Sequence, residues 1–404
     1  MSPWMRQVLL LLPLVGLWAV AVSSHKHAWA QEFGLDYRSP AGFVYEEASL
    51  TPEKARDLAR KHAVLTLLNV REISAEVAEN LVTPYLDTFL TMPALETIDA
   101  DAAAKLSVRR GYLRLWGVTS LTPEVAAALV GSPGQRLEVP SVRDISPGVA
   151  RVLAQGKRDA LRLGLTTLPT GIAEILAEFP GKLWFPRLET LSREAARAMG
   201  KHRKALDLGP ANISPEVAEV LLHHDAPIGL TSVRKLAPGV GDILARHKSE
   251  VRLALEEIDS VSLARKLFSE PAASSSVSRL RTMSPEIAAE YAMRNRSGLH
   301  SLDTLTVDAA RELAKCKRTI KLPAITAISP ELATALTERT PAVYLLGLKS
   351  LDGPDAVRVA EALASTPAPV YIEYLERVSA PALSALRKKA TIKIPPDEKL
   401  TIVP

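Results

Sequence analysis

Residues 212–224, "NISPEVAEVLLHH", look at first like a small chemical motif. Ser214, Glu216, Glu219, His223 and His224 crowd a hydroxyl, two carboxylates and two imidazoles into one short stretch. The rest of the chain changes that reading. The phrase "ISPEVAEVL" (213–221) returns as "LTPEKARDL" (50–58), "ISAEVAENL" (73–81), "LTPEVAAAL" (121–129), "LSREAARAM" (191–199), "MSPEIAAEY" (283–291) and "ISPELATAL" (328–336). Looser copies begin at Ile98, Ile145, Leu168, Leu236, Leu305, Leu351 and Val378, with a degenerate copy near Val261. Fifteen units lie between about Ser49 and Ile402, with starts mostly 22–25 residues apart. Self-similarity at a fixed period of this size is the mark of a repeat architecture.

Each position of the phrase has a physical reason. Counting the leading Leu or Ile as zero, +1 is usually Ser or Thr, whose oxygen can accept from an unpaired N–H in the first turn of a helix. Position +2 is often Pro, which loses nothing at N1 by lacking an N–H. Glu at +3 sets negative charge against the positive end of the helix dipole. Position +5 is Ala in twelve of the fifteen units, Gly241, Lys266 and Leu383 being the exceptions, and +8 is nearly always bulky and apolar. Positions 0, +5 and +8 fit one buried side of a short helix, and the recurrent Ala implies close approach to a neighbouring layer. After about three turns comes a break, then a short alternating segment such as "YLRLW" (112–116), "RLEVP" (136–140), "ALRLG" (160–164) or "TIKIP" (391–395). Alternation over so few residues reads as a very short strand.

The expected fold is therefore α/β, a single-chain solenoid of about fifteen stacked strand–helix units, because one unit cannot bury both its apolar faces and a stack can. The period and the L-x-L strand resemble leucine-rich-repeat proteins, and more closely the bacterial exported proteins that carry tandem L-[ST]-x-E-x-A-x-x-L units. The resemblance covers nearly all of the chain after residue 48. It departs from the usual repeat where Asn or Cys is expected after the strand, since Val70, Val118 and Leu165 stand there. The expected organisation is a signal peptide over 1–30, an N-terminal cap over 31–48 that includes Phe33, Tyr37, Phe43 and Tyr45, and the solenoid over 49–402. An irregular unit near 259–281 contains "SEPAASSSVSR" (269–279).

The leader reading rests on Arg6, the apolar run Val8–Val22, and small residues at both ends of Ala28-Trp29-Ala30, with cleavage before Gln31. The apolar run is short for a membrane span, and no later segment is long and apolar enough to be one. The expected location is outside the cytoplasm, secreted or in the periplasm or cell envelope. Removing Arg6 and Lys26 lowers the formal charge from +5 to +3, with 48 basic against 45 acidic residues. These charges are interspersed, which argues against a nucleic-acid-binding surface. Cys316 is the sole cysteine, so stability must come from an apolar core and not from an internal disulfide.

Candidate chemistry is thin. A Ser-Pro-Glu phrase repeated at one helix-start position is a capping device, since no enzyme needs that many copies of a nucleophile. The sequons at Asn212 and Asn295 carry no further argument, Ser214 already being assigned to a cap. His202, His224 and His247 all fall at +11 of consecutive units, and Cys316 holds +11 in another. Equal offsets put the histidines in a row, which raises a transition-metal ladder. The simpler reading is a partly cationic imidazole facing the helix C-terminus. Helix spacing of about 8–10 Å is wide for shared ligation, and no carboxylate cluster accompanies the row. Neither a metal site, a cofactor nor a catalytic group is therefore assigned.

The outward strand positions are the better candidates: Thr66, Arg114, Glu138, Arg162, Trp184, Asp207, Lys321, Tyr344, Tyr371 and Lys393. Arg114, Trp116, Arg162, Trp184, Tyr344 and Tyr371 are the candidate binding residues, because Arg and aromatics dominate binding energy at interfaces. The implied role is a non-catalytic exported binding or scaffolding protein whose partner is a protein or cell-envelope ligand. The alternatives are a self-assembling structural envelope protein and, further off, a metal-binding protein or enzyme using the +11 histidines.

Overall fold

A computed structural model of the chain describes residues 42–82, 88–109, 111–270, 277–294 and 298–404. The leader, Phe33, Tyr37, the Ser-rich core of 269–279 and the second sequon lie outside the described residues. Fifteen α-helices are interleaved with short strands among the described residues, except that Val261–Ser269, Pro285–Arg294 and Val307–Leu313 follow one another with no described strand between them. Thr51, Ser74, Thr122, Ser146, Ser192, Ser214, Thr306, Ser329 and Ser379 each accept a hydrogen bond from the N–H three residues on. Asp99 and Ser284 do the same. Pro fills the first turn at Pro52, Pro123, Pro147, Pro215 and Pro330. The repeated phrase is thus a helix start, since the cap satisfies a first-turn donor that the helix itself cannot.

The chain divides into two compact units. The first holds the described residues up to Arg143 together with Lys157–Gly164. Its strands are β1 (Phe43–Tyr45), β2 (Val64–Leu67), β3 (Phe89–Thr91), β4 (Tyr112–Arg114), β5 (Gly134–Val139) and β6 (Arg158–Leu163), each paired in parallel with the next. The second unit holds Asp144–Gly156 and Leu165–Pro404. In it β7 (Lys182–Phe185), β8 (Leu206–Leu208), β9 (Ile228–Leu230) and β10 (Val251–Leu253) run parallel in chain order. Further on, β11 (Ile320–Lys321), β12 (Val343–Tyr344), β14 (Val370–Tyr371) and β16 (Ile392–Lys393) form a second parallel ladder. A third, of β13 (Ser350–Leu351), β15 (Arg377–Ser379) and β17 (Thr401–Val403), was not foreshadowed by the L-x-L pattern. All ladders being parallel, with a helix after most of the strands, the fold is an α/β solenoid of stacked repeats.

The core is built as the period requires. Ala55, Ala78, Ala103, Ala126, Ala150 and Ala218 are fully buried, as are Leu81, Leu129 and Leu221. Ala at +5 lets neighbouring layers approach closely in a close-packed interior, and the last unit buries Leu383 at that position instead. One register needs correction. The helix of the degenerate copy spans Val261–Ser269 and is capped by Ser260, so its +5 residue is the buried Ala264 and not Lys266. Asp259 stands at position zero there, and the missing apolar residue disguised the phrase. The Leu236 unit also departs: Gly239, with φ +80°, delays its helix to Val240–Ala245.

Val70, Val118 and Leu165 are buried where a polar ladder is usual. Main-chain bonds between successive turns serve instead, including Glu96 N–H to Arg71 O at 3.1 Å and Glu256 N–H to Arg234 O at 2.8 Å. At the opposite corner of the first unit two buried arginines do similar work. Arg158 donates to the carbonyls of Ser107, Arg109 and Leu129 at 2.9, 3.1 and 3.2 Å, and Arg109 donates to Leu81 O. These oxygens sit at or just past helix C-termini, where carbonyls lack helical partners and the dipole favours a cation. Burial pulls the pKa of both guanidiniums down to about 10, so each stays charged at neutral pH. Gly134 makes room, since a Cβ there would lie 1.9 Å from Arg158 Nη1.

Candidate functional site

Alternation fixes which side chains leave the core. In the first unit Leu65, Leu90, Leu113, Leu137 and Leu161 point inward and are at most 1% exposed. The strand register then aligns Thr66, Thr91, Arg114, Glu138 and Arg162 in one outward row. A second outward row holds Val64, Phe89, Tyr112, Arg136 and Ala160.

Where the rows meet, three guanidiniums surround one carboxylate. Glu138 is 1% exposed and lies 3.6 Å from Arg114, 3.3 Å from Arg136 and 3.5 Å from Arg162. Trp116 Nε1 donates to Glu138 Oε2 at 3.4 Å. Burial lowers the Arg162 pKa; attraction to Glu138 opposes this, while repulsion from Arg136 and Arg114 adds to it. Aromatic rings floor the site. Phe89 and Tyr112 stack at 4.4 Å, Arg114 lies 5.2 Å from the Phe89 ring centre, and Arg136 lies 4.9 Å from that of Tyr112. Both distances suit cation–π attraction.

In the second unit Trp184, Asp207, Gly229 and Arg252 share a row. Trp184 donates to Asp207, and Arg252 reaches the same carboxylate at 3.0 and 3.1 Å. The reach spans β9 only because residue 229 has no side chain, a Cβ there falling 1.6 Å from Asp207 Oδ1. Farther along, Lys321, Tyr344, Tyr371 and Lys393 align. The two tyrosine rings stack at 4.0 Å, with Lys321 Nζ 5.4 Å from the first.

The structure thus brings Arg114, Trp116 and Arg162 together, places Trp184 against Asp207, and pairs Tyr344 with Tyr371. Trp116 stands two residues past the end of β4 and is 5% exposed, so it braces the cluster from beneath. Sequence reading missed Arg136, Phe89 and Tyr112. For two of them the signal was available: Tyr112 and Arg136 lie two residues before Arg114 and Glu138 and so on the same face, whereas no outward position had been identified on the strand of Phe89.

The histidine row is closer than helix spacing implied. The His202 and His224 rings lie 6.1 Å apart and nearly parallel, and His224 and His247 lie 6.5 Å apart. All three are buried. His202 Nδ1 contacts Ala177 O at 3.1 Å and His247 Nδ1 contacts Ser249 O at 3.0 Å. Neither His224 nitrogen has a hydrogen-bond partner among the described residues. Burial, then repulsion by His202 and His247, pulls the His224 pKa down to about 4. At neutral pH the central ring, His224, is therefore an uncharged core residue. No group of three or more His, Cys, Asp or Glu among the described residues is arranged to hold a metal ion. Cys316 is buried and its thiol is pushed up to about 11, leaving it protonated.

No helix among the described residues is long and apolar enough to cross a membrane. Neither models of known protein families nor curated proteins match the chain. Solved structures do, 42 chains of them, one in a structure titled as the Toll–Spatzle complex, a molecular hub in Drosophila development and innate immunity. That likeness has 12% identity and a TM-score of 0.44, and covers 89% of this chain but 51% of the other. Similarity at this level carries nothing about ligand or role. The class is defined by the chain's own geometry, as stacked strand–helix units in leucine-rich-repeat style with an Arg–aromatic cluster on an outward sheet face.

Proposed function

We propose that the chain is a non-catalytic, exported binding or scaffolding protein that recognises a protein or cell-envelope component on its sheet face. The observation that carries this is the cluster of Arg114, Arg136 and Arg162 around Glu138, floored by Phe89 and Tyr112. Outward positions need only be soluble, yet here they hold preorganised Arg and aromatic side chains, the types that supply binding energy. The N-terminal apolar run and its Ala28-Trp29-Ala30 end support export, and the repeat phrase supports kinship with bacterial exported repeat proteins.

The test is site-specific photo-crosslinking in cells that produce the protein. A photoreactive residue at Thr66 or Tyr344, on the sheet, should capture a partner that the same residue at Arg151, on a helix surface, does not. Capture only of a second copy of the chain would instead support a self-assembling envelope protein. Capture from Arg151 alone would overturn the sheet-face reading.

A further inference from the structure

We infer that a cleft in the second unit, walled by residues 298–300 and 319–321, is a binding site for a small organic acid with an apolar body. Its existence does not depend on the sheet-face reading above. The repeat breaks at this place. Between β10 and β11 three helices, Val261–Ser269, Pro285–Arg294 and Val307–Leu313, follow one another with no described strand between them. As a result β11 pairs with β12 on one side and with no described strand on the other. Beside β11, at that interruption, a cleft of about 260 Å³ opens. Departures from an otherwise consistent pattern tend to mark functional or strained sites.

The lining selects the chemistry. Tyr291, Leu299, Cys316 and Ile320 are each 3% exposed and give the cleft an apolar floor. That floor carries no charge at neutral pH. Burial pushes the Cys316 thiol up to about 11 and raises the Tyr291 phenol as well, so both stay protonated. Arg318, Lys321 and His300 line the same cleft and are exposed, which places them at its rim. No carboxylate among the described residues lines it. A few polar groups over an apolar floor is the make-up of a small-molecule site. Lys321 also lies over the Tyr344 ring, at 5.4 Å, so Arg318 is the leading partner for an acid. Its planar fork of N–H donors matches a carboxylate. Size narrows the class further. A cavity of about 150 Å³ already holds benzene, so this cleft has room for one ring and a short acid arm. An inorganic anion would leave the floor unused, and a neutral ligand would leave Arg318 unused.

The probe is phenylpropionate, read by ligand saturation-transfer NMR on the full chain at neutral pH, beside its primary amide, acetate and inorganic phosphate. The acid should bind saturably, with a Kd of about 1 mM or tighter. Its amide should bind at least about tenfold more weakly, having lost the charge that Arg318 meets. Acetate should also bind more weakly, because it leaves the apolar floor uncovered. Arg318→Gln should weaken the acid by about tenfold. Thr319→Trp, at an exposed lining position, should fill the mouth and abolish binding. Melting curves establish that each variant is folded, and either variant keeps the test decisive if the other is not. No binding of the acid at about 10 mM overturns the inference. So does equal binding of acid and amide, acetate or phosphate binding as tightly as the acid, or binding that a folded variant leaves intact. None of these outcomes bears on partner capture from the sheet face, so the two proposals fail separately.

Discussion

Replacing His224 by Leu should remove a defined part of the protein's sensitivity to acid. His224 is completely buried, and its pKa is pulled down to about 4 from the ordinary 6.5. The sign follows from which state binds the proton. The unfolded chain takes it up as pH falls through about 6.5, the folded chain only near 4, so the stabilisation is complete above the first value and lost toward the second. At about 1.4 kcal/mol per pH unit, the whole window is worth about 3 kcal/mol, of which about 2.5 kcal/mol falls between pH 7 and pH 4.5. Around the row, His202 and His247 repel a charge on His224 and Lys204 repels one on His202, while the backbone at Lys204 and His202 favours the charge on His224 and offsets part of the shift. Leu has a similar volume and no ring nitrogens to leave unsatisfied, so neutral-pH stability should be kept. Urea unfolding at both pH values measures the difference directly. The wild type should lose about 2.5 kcal/mol more than His224→Leu on acidification. Equal losses would show that the row does not hold His224 neutral and would refute the reasoning.

Other perturbations address the frame. Ala218→Leu should overpack the fully buried +5 layer and cost about 1–3 kcal/mol in urea unfolding, whereas the exposed Glu219→Ala should cost little. Arg158→Met leaves the carbonyls of Ser107, Arg109 and Leu129 without their donor, and should cost about 3 kcal/mol in the same assay. Gly229→Ala should displace Asp207 from Arg252 and Trp184, shifting tryptophan emission and lowering stability by about 1–2 kcal/mol.

How much of this could be read from the chain alone depends on whether a feature is local. Helix starts were legible because Ser214, Thr122 and Ser329 cap through bonds spanning three residues, and the neighbouring Pro and Glu report the same event. The Ser260 cap was hidden because Asp259 replaces the apolar residue that usually announces it. Outward positions followed from alternation, which correctly put Arg114, Glu138 and Arg162 on one face. What alternation could not show is that Glu138 would be buried there, since its cover comes from long side chains on both neighbouring strands. The +11 offset placed the histidines in a row, but helix spacing misjudged their contact because the rings, not the helix axes, set the separation. Arg109 and Arg158 were missed for a similar reason: their partners are backbone oxygens distant in sequence, which no residue type announces.

Strand stacking can be tested most directly by disulfide trapping across the outward row. Cys316 is buried, so engineered pairs dominate the thiol chemistry. Thr66 and Thr91 are aligned on adjacent parallel strands, at a spacing of about 5 Å that a disulfide can bridge. Thr66 and Arg114 share the row but stand two strands apart, at roughly 10 Å, beyond that reach. Stacked repeats in this register predict rapid cross-linking of Thr66→Cys with Thr91→Cys and none of Thr66→Cys with Arg114→Cys. Cross-linking of the second pair, or failure of the first, would contradict the solenoid on which the whole account rests.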